Sequence, residues 1–328
     1  MAVPTNTVQS YAAVNSTRED LLDKIYTISP QETPFLSMAK RVTAAQSIHQ
    51  WQTDALAAAA TGNAQIEGDD ASANAIVATN RIKNYTQIST KTRIVSGTNQ
   101  NERAAGFKRQ MAYQLMKGSA ELKRDMEAIL TGEHGSTVGG AATARQQAGL
   151  ESWLSSNKTS VPAAAAATTP GYVTSTGLVT ALTDGVTVGT ITQAALKAIV
   201  RECWTAGGNP TVALCGGYNK QQISGFSSNA TLYREATKSH IGNVIVGAYD
   251  LYISDFGELR IVPDRFSRDR TVCVLDMDYW AVAYLRPFET NELGRTGDSI
   301  KRQIVVEYCL ESRNQASSGK LTDLATSG

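Results

Sequence analysis

Apolar residues recur every three or four positions at Ala104, Phe107, Met111, Leu115, Gly118, Leu122, Met126 and Ile129, with charges between them. The pattern predicts one long amphipathic helix over residues 101–130. Asn101 is the expected cap, Glu102 suits the positive end of the helix dipole, and Thr131-Gly132 stops the run. At 1.5 Å per residue such a helix is roughly 40 Å long, a beam across a domain. The period changes to two over residues 303–311, where Ile304, Val306, Tyr308 and Leu310 alternate with Val305, Glu307, Cys309 and Glu311 in the clearest long strand of the chain.

Weaker signals fill in the rest. Ser16-Thr17-Arg18-Glu19 is a capping-box pattern, and Leu21, Leu22 and Ile25 follow at helical spacing, so a short helix is expected before Pro30 and Pro34 turn the chain into an extended arm. Residues 47–97 read as strands around a soft middle rich in Ala, Gly, Asn and Asp. This is a long two-stranded excursion whose apolar face, with Trp51, Ile82 and Ile88, must rest on something else because an isolated hairpin is marginal in water. Residues 132–190 read as loop or weak strand. Thr192 then caps a helix with Leu196, Ile199, Val200, Cys203 and Trp204 on one face, followed by a strand over 211–214 and a helix over 218–223. Strands are expected at 249–253, 259–262, 271–275 and 280–285. The class is mixed α+β.

With 328 residues, 42% of them hydrophobic, the chain can bury a substantial core, which excludes a wholly disordered protein. No apolar run approaches the ~18 residues of a membrane span, and residues 1–12 lack a basic segment followed by an apolar one, so a soluble protein not exported by that route is expected. Cys203, Cys215, Cys273 and Cys309 sit singly in apolar stretches and read as buried free thiols, while His49, His134 and His240 are too scattered for a zinc site. The net charge of +1 argues against a dedicated nucleic-acid binder. Its distribution is uneven. Residues 42–80 hold Asp54, Glu67, Asp69 and Asp70 with no Lys or Arg, whereas residues 81–130 hold ten basic against four acidic side chains. Opposite signs in adjacent segments suit either folding back or contact between copies.

Three motifs bear on chemistry. Cys215-Gly216-Gly217-Tyr218-Asn219-Lys220 joins a strand to a helix but lacks the spacing that wraps a phosphate, so a tight turn is expected. Gly135-Ser136-Thr137-Val138-Gly139, beside His134, misplaces the serine for a nucleophile elbow and reads as a loop. Asp276 and Asp278 could hold a divalent ion, but no third oxygen ligand is near and Asp is a common turn former. Arg265, Arg268 and Arg270, with Asp264 and Asp269, form a charge run read as an ion-paired loop or, more sharply, a contact with another subunit.

The order of parts, and Ile28-Ser29-Pro30-Gln31-Glu32-Thr33-Pro34-Phe35, Trp51-Gln52-Thr53-Asp54, Glu67-Gly68, Ser254-Asp255-Phe256-Gly257, Val262-Pro263-Asp264-Arg265-Phe266, Leu285-Arg286-Pro287-Phe288, Thr296-Gly297-Asp298 and Glu307-Tyr308, resemble the major capsid proteins of tailed bacteriophages with the Hong Kong 97-type fold. The resemblance runs through nearly the whole chain. It implies an N-terminal arm at 1–40, an extended loop at 41–97, a peripheral domain with a long spine helix at 98–148, an axial domain at 149–290 and a return to the peripheral domain at 291–328. Residues 155–190 are the least family-like part and suggest a surface insertion.

The implied role is a shell protein that assembles into pentamers and hexamers around double-stranded DNA, in a virion put together in the host cytoplasm. It implies no catalysis, no cofactor and no membrane. Portal, scaffold or decoration proteins are possible partners, with packaged DNA met non-specifically. The chain starts directly with the arm, so any scaffold is expected to be a separate protein. Lys83 and Lys91 lie on the loop, but nothing selects either for a crosslink. Contacts between copies are expected at Leu21, Leu22, Ile25, Phe35, Trp51, Asp54, Glu67, Asp69, Asp70, Arg81, Arg93, Arg103, Lys108, Arg109, Arg265 and Arg268. The competing readings are an encapsulin-like cellular compartment and an enzyme using Asp276 and Asp278.

Overall fold

A computed structural model describes residues 29–68, 70, 76, 78–102, 109–162, 168–226 and 250–327. The expected helix over Leu21, Leu22 and Ile25 lies outside them. In chain order the elements are α1 (Pro34–Met38), β1 (Lys40–Thr43), β2 (Ile48–Thr53), β3 (Asn80–Tyr85), β4 (Gln87–Ser96), α2 (Gly97–Asn101), α3 (Gln110–Thr131), α4 (Leu150–Trp153), β5 (Asn157–Ser160), β6 (Gly171–Val173) and β7 (Leu178–Thr180). They continue with α5 (Gln193–Thr205), β8 (Val212–Cys215), α6 (Gly217–Ser224), β9 (Leu251–Ser254), β10 (Gly257–Pro263), β11 (Val272–Leu275), β12 (Trp280–Leu293), β13 (Ser299–Ser312) and β14 (Gly319–Thr322).

Two larger sheets organise the chain. One has four strands in the order β1-β12-β13-β4, with β1 parallel to β12 and the other pairs antiparallel. The second has six in the order β5-β14-β11-β8-β10-β9 and mixes both pairings. The alternation read over 303–311 is realised in β13. Ile304, Val306, Tyr308 and Leu310 enter one core with Leu122, Met126 and Leu130 of α3, and Cys309 enters a small cluster on the other face with Ala44 and Ala283. Fully burying side chains of this size stabilises by roughly 1.5–3 kcal/mol each. A second core lies between α5 and the six-stranded sheet, where Leu196, Ile199 and Val200 meet Val272, Val274 and Leu321.

The long helix is shorter than its periodicity predicts. Asn101 closes α2 and does not cap α3; Arg109, with extended backbone, precedes Gln110, and the Met111 amide donates to the side-chain oxygen of Gln100 at 3.0 Å. The 22 residues of α3 span about 33 Å. Gly118 sits where α3 touches the sheet: a Cβ there would lie 3.2 Å from the Ile304 Cδ1. The close approach explains a residue that costs about 1 kcal/mol in a helix interior.

Further differences follow from tertiary context. Ile88 belongs to β4, in the four-stranded sheet, and not to the β2–β3 hairpin. Trp204 is 55% exposed, off the buried face of α5, with its ring 5.1 Å from Phe256. The stretch read as loop or weak strand holds α4, β5, β6 and β7, and Trp153 within it is fully buried. All four cysteines are buried free thiols, as read. Among the described residues no helix is long and apolar enough to cross a membrane.

Candidate functional site

The far end of the β2–β3 excursion exposes large apolar side chains to solvent. Its base is firmly seated. Trp51 lies 5.6 Å from Trp153, which in turn stacks on Tyr172, and the Trp51 indole N–H donates to the Ser312 carbonyl at 2.9 Å. Asn84 donates to the Leu310 carbonyl at 2.7 Å, and His49 Nε2 pairs with Glu311 at 2.8 Å. Past Thr53 and before Asn80 there is no helix or strand among the described residues, and Leu56, Ile66 and Ile76 are 99%, 79% and 97% exposed. Asp54, Glu67 and Asp70 are exposed on the same stretch. Asp69 lies outside the described residues.

The opposing basic residues divide into two groups. Arg93 pairs with Glu121 and Lys91 with Asp125 at 2.6 Å, both across the contact between β4 and α3 of the same chain. Arg81, Arg109 and Arg265 are exposed, while Arg103 and Lys108 lie outside the described residues. Phe35 is fully buried in its own chain, and Trp51 is half-buried against Trp153. Arg268 is likewise engaged inside: its guanidinium meets Glu133, Asp184 and, at 3.0 Å, Glu151.

Sequence reading missed the residue that fixes where the chain enters the fold. Glu127 of α3 is fully buried, and its two carboxylate oxygens accept the amides of Phe35 and Leu36 at 2.6 and 2.8 Å, the orphan donors of α1. Burial, with Asp264 nearby, pushes its pKa up to about 7, against the pull of those two amides. The only hint in the sequence was an acid next to Met126 at the edge of the apolar stripe.

The sign of the linkage is set by that direction. Because the folded pKa lies above the unfolded value, the favourable contribution of Glu127 is complete below about pH 4.5 and fades as pH rises toward and through about 7. The net contribution of Glu127 to stability is therefore expected to fall across that window as the burial cost of its charge sets in, even though the two amides hold the carboxylate more strongly than the acid. Urea midpoints of the wild-type chain and Glu127→Gln compared at pH 5 and pH 8 check this: the variant should show the smaller loss on raising pH, and equal losses would refute it.

The motifs tested for chemistry fold as structure. Asp276 is buried and accepts from the amides of Asp278 and Asn209, whereas Asp278 is exposed and pairs with Lys40 at 2.7 Å, so the two carboxylates do not converge. Thr137 bridges to Gln146, and burial lowers the pKa of His134. Among the described residues no group of three His, Cys, Asp or Glu is placed to hold a metal.

Comparison with known proteins gives one answer. A family model described as SU10 major capsid protein matches residues 3–325. A major capsid protein of Escherichia phage Phieco32 is 42% identical over 106 residues, a match covering 32% of this chain and 30% of that protein. A solved chain from Mycobacterium phage Adephagia superposes with a TM-score of 0.62 over 98% of this chain and all of the other, at 9% identity. A chain from the capsid of a native GTA particle gives 0.61 over 96% and 98%, at 11% identity. These likenesses show the fold, the Hong Kong 97-type expected from the sequence. The chain belongs to the SU10 major capsid protein family.

Proposed function

We propose that this chain is the major shell protein of a tailed phage, assembling through pentamers and hexamers into an icosahedral head that encloses double-stranded DNA. The observation that carries the reading is the pairing of a well-anchored hairpin base with an end that leaves Leu56, Ile66 and Ile76 in water. Apolar side chains exposed to water in this way gain stability by covering another surface. A neighbouring copy supplies one, and head-to-tail contacts of this kind close into rings. The acidic residues Asp54, Glu67, Asp69 and Asp70 would meet the approach to α3 on the next copy, at Arg103, Lys108 and Arg109, which makes assembly salt-sensitive. Leu21, Leu22 and Ile25 of the arm, with Arg81 and Arg265, are further contacts between copies in this reading.

The sheets suggest shifted domain borders. The excursion proper is 48–85, since β1 and β4 lie in the four-stranded sheet. That sheet with α3 forms the peripheral domain and claims β12 from Trp280 onward; the six-stranded sheet forms the axial domain and claims β14 from the C-terminal segment. The role is structural rather than catalytic, in the virion, with portal, scaffold or decoration proteins as further partners.

Deleting residues 1–27 is expected to abolish particles while leaving a soluble fold, because the core clusters of the described residues are built from Phe35 onward. Electron microscopy of the purified variant beside the full chain checks this. Normal particles from the deletion would remove the arm from the contacts, and a full chain that stays a small oligomer would sink the shell reading.

A further inference from the structure

We infer that the hairpin β6–β7 is a brace that sets the direction of the β2–β3 excursion, with Tyr172 as its positioning residue; the consequence for assembly rests on the shell reading above. The hairpin lies in the stretch that reads from the sequence as a surface insertion, yet it is tied down on its own account. The Val179 amide of β7 donates to the Ser136 hydroxyl at 2.8 Å, and the Val179 carbonyl accepts from the Ser136 amide at 2.9 Å. Val179 itself is buried in the core that holds Leu130 of α3. Thr168 and Thr183 close the open end: the Thr168 amide donates to the Thr183 carbonyl at 2.9 Å, and the Thr183 amide to the Thr168 hydroxyl at 2.8 Å.

From that anchorage the hairpin reaches the excursion at two places. Tyr172 of β6 lies nearly parallel to Trp153, with ring centres 6.1 Å apart and planes at 7°, and so extends the row His49, Trp51, Trp153 into the insertion. Its hydroxyl is 3.4 Å from the Arg81 carbonyl of β3, a long contact, so the ring carries the join. In the turn, Gly177 is buried at a φ of 66°, and the Lys83 side chain of β3 crosses it so closely that a Cβ there would strike the lysine stem. Both contacts are separate from those that seat the excursion on β13 through Trp51, Asn84 and His49. One attachment leaves a two-stranded ribbon free to swing; two fix where it points. The effect grows with length, since a turn of about 10° at the base of a ribbon roughly 20 Å long moves its end by about 3–4 Å, more than the reach of a hydrogen bond. A far end that must cover a neighbouring copy needs its direction fixed before contact is made, so the brace acts on assembly through the excursion and touches no second copy itself.

Hydrogen exchange and electron microscopy on the full chain test this with three variants. Tyr172→Ala should speed exchange of the β3 amides by about tenfold, while those of α5 and β8, in the second core, stay within about twofold of the unaltered chain. The same variant should lose most particles of normal diameter, and Tyr172→Phe, which keeps the ring, should restore both readouts. Lys83→Ala, which removes only the stem over Gly177, should move β3 exchange in the same direction by a smaller factor and keeps the test open if Tyr172→Ala does not fold. Unchanged β3 exchange in Tyr172→Ala and Lys83→Ala would overturn the brace, and so would a Tyr172→Phe chain as defective as Tyr172→Ala. Faster β3 exchange in Tyr172→Ala with particles of unaltered yield and diameter would overturn the positioning role. An unaltered chain that forms no particles would instead remove the shell reading, and with it the consequence for assembly, while the exchange data still decide the brace.

Discussion

Replacing Arg268 with alanine is expected to cost about 3–5 kcal/mol of stability, the range found when one member of a buried ion pair is removed and the other is left uncompensated. Glu151 is the group left behind. It is 1% exposed, accepts from Arg268 at 3.0 Å and from the Thr271 hydroxyl at 3.1 Å, and burial already raises its pKa to about 7. Glu133 and Asp184 lose the same partner, although Arg270 remains 3.5 Å from Asp184. Without the guanidinium, Glu151 escapes its penalty by taking up a proton, so the loss should be smaller at pH 5 than at pH 8. Urea denaturation at the two pH values measures this, with Arg268→Lys as the milder variant that keeps the charge and loses the fork. A cost below about 1 kcal/mol would show that Lys320, whose buried ammonium donates to the Glu151 carbonyl, suffices to hold the site.

Trp153→Ala is the second large effect, expected at about 3–5 kcal/mol for emptying an aromatic site in a closed core. Trp153 is 2% exposed, between Trp51 at 5.6 Å and Tyr172, stacked at 6.1 Å. The damage should reach the excursion, since Trp51 loses the ring it rests on, and hydrogen exchange of β2 and β3 should accelerate more than that of α5. Its indole N–H has no hydrogen-bond partner among the described residues, so Trp153→Phe should retain most of the stability. Exchange in β2 unchanged by Trp153→Ala would mean that the Asn84 and His49 contacts hold the hairpin base without it.

Local periodicity made β13, α5 and the buried thiols legible, because each depends on a pattern repeated over a few residues and on a face large enough to bury. It failed where the outcome depends on distant partners. Ala104 and Phe107 keep the helical spacing, so nothing local announces that α2 ends at Asn101 and α3 begins at Gln110. The run from Asp264 to Arg270 reads as a solvated loop, yet its central arginine is claimed by Glu133, Asp184 and Glu151, which lie far away in sequence. Lys320, in a strand of four residues, gives no sign that it will be wholly buried. Asp276 was legible as a turn former because its partner, the Asp278 amide, is two residues away.

The arrangement of the four thiols has a practical consequence. Burial pushes Cys203 and Cys215 up to about 12 and raises Cys273 and Cys309 as well, so none presents a thiolate to an alkylating reagent while the fold is closed. Three of them report on the lobe of α5, β8 and β11, and Cys309 alone reports on β13. Pulsed alkylation during gentle denaturation would thus record, without any engineered label, which half of the subunit gives way first.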